Sequence, residues 1–289
     1  SGERMLVIVG IVVVIGGVLG GFMMAGGSPI LLLQISEFVT IGGATIGSLL
    51  ISAPISLVKK IISEALGTMK SHHFSKQDYL TMLKSFNDLF LVAQRDGLLA
   101  IEKHIEKPEE SEILNKSKKF VENATLKSFF SDSMKVMLSG GIPPHELESL
   151  MDSEIETFEM ETKPIAGQLS KTGDALPGLG IVAAVLGIIV TMGSINAGAE
   201  AVGHHVASAL VGTFLGVLMS YGFVGPLATN IEHNIEGRVR LMETVKASMV
   251  AYAKGNPPII AVEIARRTIY SDERPSFAEL EAFIRAKSA

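Results

Sequence analysis

Four uncharged apolar stretches dominate this sequence and leave it few ways to fold. They are Met5–Ala25, Phe38–Val58, Ala175–Ile195 and Val206–Thr229. A helix needs about 20 such residues to cross the hydrocarbon of a bilayer. Inside lipid the backbone must satisfy its own hydrogen bonds, which a helix does within one segment. The sequence therefore predicts an all-α, polytopic membrane protein with four transmembrane helices and a helical cytoplasmic region. Composition agrees: 47% of residues are hydrophobic and 19% charged, with a mean hydropathy of +0.39, outside the usual range of soluble chains. A cleaved signal peptide is the alternative for the first stretch, because Met24-Ala25-Gly26-Gly27 loosely matches a cleavage site. No basic residue follows Met5, however, and the run is long for that purpose. Ser1–Arg4 precede a natural-looking start at Met5 and are set aside as foreign to the fold.

Lys and Arg decide orientation. After Arg4 none occurs before Lys59, and none occurs between Lys171 and Arg238. The connections 26–37 and 196–205 are therefore expected outside. Both termini and the blocks 59–171 and 231–289 are expected in the cytoplasm. The domain reading is transmembrane helices 1 and 2 in 5–58, a cytoplasmic helical domain in 59–171, transmembrane helices 3 and 4 in 172–230, and a cytoplasmic helical tail in 231–289. Within 59–171, apolar residues at helical spacing predict a helix over Gln77–Glu106, with Leu80, Leu83, Phe86, Leu89, Phe90, Leu98, Leu99, Ile101 and Ile105 facing a core. Pro108 ends it. A second helix is expected over Ser111–Leu138, and an acidic one over His145–Lys163 leads into the third span. The tail should break at Gly255-Asn256-Pro257-Pro258 and finish in two short helices.

Several function classes are excluded. A net charge of −5 does not suit nucleic-acid binding. Without Cys there is no thiol catalysis or zinc–thiolate site. No HExxH or GxSxG pattern marks an enzyme, so neither catalytic residues nor cofactors are expected. His204-His205 are expected in a solvated outer loop, where adjacent histidines diverge.

The spans carry their own signals. Small residues recur at three-to-four spacing: Gly16/Gly20 beside Gly17/Gly21, Gly43/Gly47, Gly180/Ala184/Gly187/Thr191/Ser194 and Ser208/Gly212/Gly216/Ser220. In lipid, close helix contact depends on such residues, which points to tight packing and to assembly with other subunits. Pro177 and Pro226 either kink the third and fourth spans or sit harmlessly near their ends. These two spans offer hydroxyls but no carboxylate, whereas ion conduction through hydrocarbon normally uses an ionisable group. If the protein moves ions, a partner must supply that group. Glu37, the acid that precedes the second span, is expected at the outer boundary of the second helix as an anchor.

The segments Leu176-Pro177-Gly178-Leu179-Gly180, Val211-Gly212-Thr213-Phe214-Leu215-Gly216 and Tyr221-Gly222-Phe223-Val224-Gly225-Pro226 resemble the MotA-type flagellar stator subunits of the MotA/TolQ/ExbB proton-channel superfamily. So do Gly42–Ser48, Leu150–Glu156, Pro257-Pro258-Ile259 and Ser271–Phe277, so the likeness extends over nearly the whole chain. The resemblance implies a homo-oligomeric ring, a pentamer, around single-span MotB-type subunits that bring the titrating aspartate. Ion passage would turn the ring and push the rotor protein FliG. Pro177 and Pro226 match the coupling prolines, Thr213 the threonine of the ion path, and Tyr221 is grouped with them. Ala184 stands where sodium-driven relatives carry threonine, which implies H+ as the transported ion. Glu102 matches an acidic rotor-contacting residue, with Glu154 in the same role. Relatives often have two adjacent basic residues where this chain has Gln94 and Arg95, so the basic role falls to Arg95. Read without the resemblance, Arg95 and Glu102 are an ordinary solvated helix face. The rival within the superfamily is an ExbB/TolQ-type energiser of outer-membrane processes, which has three spans and an outward N-terminus. A membrane-embedded enzyme and a passive scaffold are the rivals from other classes.

Overall fold

A computed structural model describes residues 2–67, 74–193 and 195–286, with the side chains of residues 2–4 and 197 outside the description. Ser194, part of the small-residue pattern of the third span, lies outside the described residues. Among the described residues every regular element is helical. In chain order the helices are α1 (Gly2–Met24), α2 (Ile35–Ser52), α3 (Ile55–Gly67), α4 (Lys76–Asp96), α5 (Glu102–Glu106), α6 (Lys118–Glu122), α7 (Ala124–Leu138), α8 (Pro144–Gly193), α9 (Ala199–Leu218), α10 (Gly225–Ala253), α11 (Pro258–Arg266) and α12 (Phe277–Arg285). A π-helical segment, Met219–Val224, joins α9 to α10. Four stretches are long and apolar enough to cross a membrane: Met5–Met24, Pro29–Ser52, and parts of Pro144–Gly193 and of Ala199–Ala253. The chain is thus an all-α polytopic membrane protein.

The chain divides into two compact units, Ser1–Ser71 with Glu161–Asn234 and His72–Met160 with Ile235–Ala289. The first holds the apolar spans. Its helices are apolar on most sides, as a lipid solvent demands, and α1 leaves Leu6, Val12 and Val13 more than 60% exposed within the chain. The second unit is built like a soluble domain. Its centre is aromatic: Phe86 of α4 stacks on Phe130 of α7 at 4.8 Å and meets Phe120 of α6 edge-on at 5.2 Å, while Phe90 stacks on Tyr252 of α10 at 4.4 Å. Burying each such ring stabilises the unit by about 1.5–3 kcal/mol before geometry is counted. Lys246 pairs with Asp152 at 2.5 Å and Lys254 with Glu148 at 2.8 Å, which fastens α10 to the first turns of α8.

Three expectations change. The helix expected over Gln77–Glu106 stops at Asp96, because Gly97 takes φ +89, a conformation glycine adopts at little steric cost. A 3₁₀ turn, Leu98–Ile101, then leads into α5. Leu98 and Leu99 are consequently exposed, whereas Leu80, Leu83, Phe86, Leu89, Phe90, Ile101 and Ile105 are buried as expected. The helix expected over Ser111–Leu138 is three pieces: a 3₁₀ turn at Leu114–Lys116, then α6 and α7. Asn123 separates the last two and caps α7 by accepting from Leu126 N–H. The second span, read as Phe38–Val58, breaks at Ala53, whose backbone is extended at φ −136 and ψ 139. Pro54 follows and excludes the helical conformation from the residue before it. The two short helices of the tail, α11 and α12, are present.

Candidate functional site

Among the spans, α8 and α9 come into close backbone contact. A Cβ placed on Gly180 would lie 2.7 Å from the Gly212 carbonyl oxygen and 3.1 Å from the Gly216 Cα. One on Gly216 would lie 2.5 Å from the Leu176 carbonyl oxygen, and one on Gly187 would lie 2.7 Å from the Ala209 Cβ. Two backbones therefore meet here with no room for a side chain, as helices in lipid do when small residues line the contact. The expected spacing splits in the structure. Gly16, Gly17, Gly20, Gly21, Gly43 and Gly47 have nothing within 4 Å of such a Cβ, so these glycines of α1 and α2 mark no close backbone approach within this chain.

Ala184 and Thr213, both half-buried, lie along this seam. The Ala184 nitrogen is 3.2 Å from a Cβ on Gly212, and the Thr213 Cα 3.3 Å from one on Gly180. The two prolines are brought to one level. Pro177 lies inside α8 rather than at its end, so the Gly173 carbonyl one turn earlier has no N–H to accept from it. Gly173 packs on Val224 and Gly225, where a Cβ would find Val224 Cγ1 at 3.2 Å and the Gly225 nitrogen at 3.6 Å. Pro226 is the next residue. Its own missing N–H falls beside the π-helical turn Met219–Val224, where the backbone takes up the extra residue. Tyr221, in that turn, is 71% exposed and takes no part in the α8–α9 contact. Of the hydroxyls, Thr191 is committed to the Gly187 carbonyl at 2.8 Å, and Ser208 donates to Gln34 Oε1 at 3.0 Å.

Glu37 differs from the expectation of an anchor. It sits in the first turn of α2 but is 5% exposed, with one carboxyl oxygen against α9 at Gly212. His204 and His205 are not in a loop: α9 starts at Ala199 after Gly198 at φ +98, and both histidines border the same cavity as Glu37. Sequence reading flagged this acid because charge beside a span is costly; which helix would cover it was not readable.

In the second unit Arg95 ends α4 and is exposed. Its guanidinium makes a two-toothed pair with Asp96, Nε to Oδ1 at 2.9 Å and Nη2 to Oδ2 at 2.6 Å. That pair raises the arginine's pKa and lowers that of the Asp96 carboxyl. Glu102 opens α5 beyond the Gly97 break and is exposed. Glu154 lies on α8; burial, then the charge of Asp132, raises its pKa. Among the described residues no cluster of three or more His, Asp or Glu could hold a metal ion.

The sequence matches the family description Motility protein A N-terminal over residues 8–97 and that of the MotA/TolQ/ExbB proton channel family over residues 121–244. It is 38% identical over 282 residues to motility protein A of Salmonella typhimurium, covering 98% of this chain and 96% of that one. The chain belongs to the motility protein A family. Motility protein A of Escherichia coli K12 is likewise 38% identical over 282 residues, covering 98% and 96% of the two chains. The chemotaxis protein LafT of Vibrio parahaemolyticus is 35% identical over 275 residues, covering 95% and 96%. The fold is that of the chain solved in the C. jejuni MotAB structure, with a TM-score of 0.79 at 20% identity, covering 94% of this chain and 98% of that one. The flagellar MotAB stator complex of Bacillus subtilis gives 0.72 at 22%, covering 89% and 92%. Likeness to motility protein A over nearly the full length favours that reading over the ExbB/TolQ alternative.

Proposed function

We propose how this MotA-type stator subunit works: it couples proton flow across the bacterial inner membrane to torque on the rotor. Copies assemble as a pentameric ring around MotB-type single-span subunits, with both termini and the block 59–171 in the cytoplasm. The observation that carries this reading is chemical. The helices that meet at the Gly180–Gly216 seam bear no Asp, Glu, Lys or Arg between residues 175 and 229 except Glu200, at the start of α9 and clear of the seam. Glu37 of α2 reaches this seam only at Gly212; a route along the rest of it needs a further carboxylate, and a single-span partner with an intramembrane aspartate supplies it. Neutralising that aspartate removes a buried charge and shifts the favoured packing of the helices around it. The two prolines and the π-helical turn sit where α8 and α9 must yield if packing is to change. Arg95, Glu102 and Glu154 then pass force to FliG, in the manner of charges that set register across a surface.

The bridge between Arg95 and Asp96 bears on this. Exposed pairs are screened by water and contribute little, so a rotor carboxylate can compete for the guanidinium. The test of the reading is co-purification: a single-span protein with an intramembrane aspartate should accompany the chain in fixed ratio and confer proton flux on vesicles. A ring that purifies without any such helix contradicts it.

A further inference from the structure

The chain buries an acid that the proposed route leaves unused. Glu37 is the only carboxylate between residues 5 and 58, and it is 95% enclosed by its own chain. Oε1 accepts a long 3.5 Å hydrogen bond from Ser36 Oγ, and Oε2 has no donor among the described residues. Oε2 lies so near the α9 backbone that a Cβ on Gly212 would come within 2.5 Å of it. The carboxyl opens onto a cavity of about 390 Å³ with one polar side. Gln34 and Ser36 stand on one edge, and His204, His205 and Ser208 of α9 on another; the wall from α8 is apolar. Among the described residues neither Lys, Arg nor a second carboxylate lines it, and the two histidines are the titratable groups that face Glu37. Ser208 and Gln34 hold the edges together by their 3.0 Å hydrogen bond.

An unpaired buried carboxylate is costly, and in hydrocarbon such a residue persists when it has work to do. Histidine is the side chain that exchanges protons near neutral pH. We propose that this cavity is a proton-binding antechamber of the ion route, in which Glu37 takes up and releases the proton and His204 and His205 exchange it with the outside. The inference rests on the proton-conducting reading above. Uptake forms an O–H bond at Oε2 as an imidazolium N–H or a hydronium O–H breaks, leaving neutral imidazole or water. Release reverses that bond, and the proton passes to the next acceptor along α8 and α9.

The experiment has two arms on the full-length protein in lipid vesicles. Infrared difference spectra across a pH titration should show a carboxyl C=O band that is absent from Glu37→Gln, retained with altered position in Glu37→Asp, and shifted in titration midpoint by His204→Asn with His205→Asn. With the single-span partner present, Glu37→Gln should lower proton flux roughly tenfold or more, as expected when a positioned proton-transfer group is lost, with Glu37→Asp restoring part of it. Blue-native gels run alongside confirm that the variants still assemble. A titration without any Glu37-dependent band, or a band indifferent to both histidines, overturns the proposal. So does wild-type flux in an assembled Glu37→Gln complex. If the wild-type complex itself passes no protons, the conducting reading fails, and the infrared arm still decides whether Glu37 binds a proton.

Discussion

At the scale of single residues, contact distances separate interchangeable positions from fixed ones. Gly216 is fixed: any side chain there would strike the Leu176 carbonyl and the Gly180 Cα, both backbone. Gly216→Val should therefore destabilise the membrane unit by about 1–3 kcal/mol, read as a lower midpoint in detergent unfolding. Gly20→Val, where nothing lies within 4 Å in the chain, should leave that midpoint in place. In the second unit, His104 is buried with Nδ1 2.8 Å from Ser111 Oγ, whose oxygen accepts from Ile113 and Leu114 N–H. Burial, with Lys103 adding to it, holds the imidazole below its ordinary value of 6.5. The unfolded chain then binds a proton that the folded one refuses, so stability is present above 6.5 and falls as pH drops through that value toward the folded one. Thermal melts of wild-type protein should show this loss, and His104→Asn should flatten it; an unchanged slope would remove His104 as the cause.

At the scale of elements, length and apolarity made the four spans legible, and orientation rests on Lys and Arg counts alone. What the sequence showed less well were interruptions decided by one backbone position. The break at Ala53-Pro54 was missed in a span read through to Val58, although proline restricts its predecessor. Gly97 was not readable, because a lone glycine in an amphipathic run is as compatible with a weakened helix as with a break. The π-helical turn before Pro226 had no local signal beyond that proline. It interrupts the regular α-helical hydrogen bonding between α9 and α10, a run that continues to Ala253. Pro226→Ala restores a backbone N–H and should let the turn anneal toward α-helix. The complex should then assemble normally but lose motility; full motility would show that the turn is merely a packing detail. The conspicuous Ser271–Phe277 motif turns out to be structural. Arg266 donates to the Pro275 carbonyl and pairs with Glu263, Arg274 donates to the Ile269 carbonyl, and Ser276 with Glu279 forms a capping box for α12.

At the scale of the whole molecule, family and fold were legible because the motifs are spread along the entire chain. The placement of the candidate residues was legible in part. Pro177, Ala184, Thr213 and Pro226 fall together along α8 and its neighbours, whereas Tyr221 stands apart. The covering of Glu37 by α9 depends on which helices pack, which periodicity does not say. Pro177→Leu restores a helical donor inside α8 and should abolish motility while a blue-native gel still shows the assembled complex. Charge reversal at Glu102 should impair motility and be rescued by a compensating rotor charge; failure of every such reversal would argue against contact. The central claim is that the ion route needs an acid from another polypeptide, and proton flux into vesicles tests it most directly. Vesicles holding this chain alone should be tight. Those holding it with its single-span partner should conduct, and replacing the partner's intramembrane aspartate by asparagine should close them again. Sustained flux through the chain alone would contradict the account.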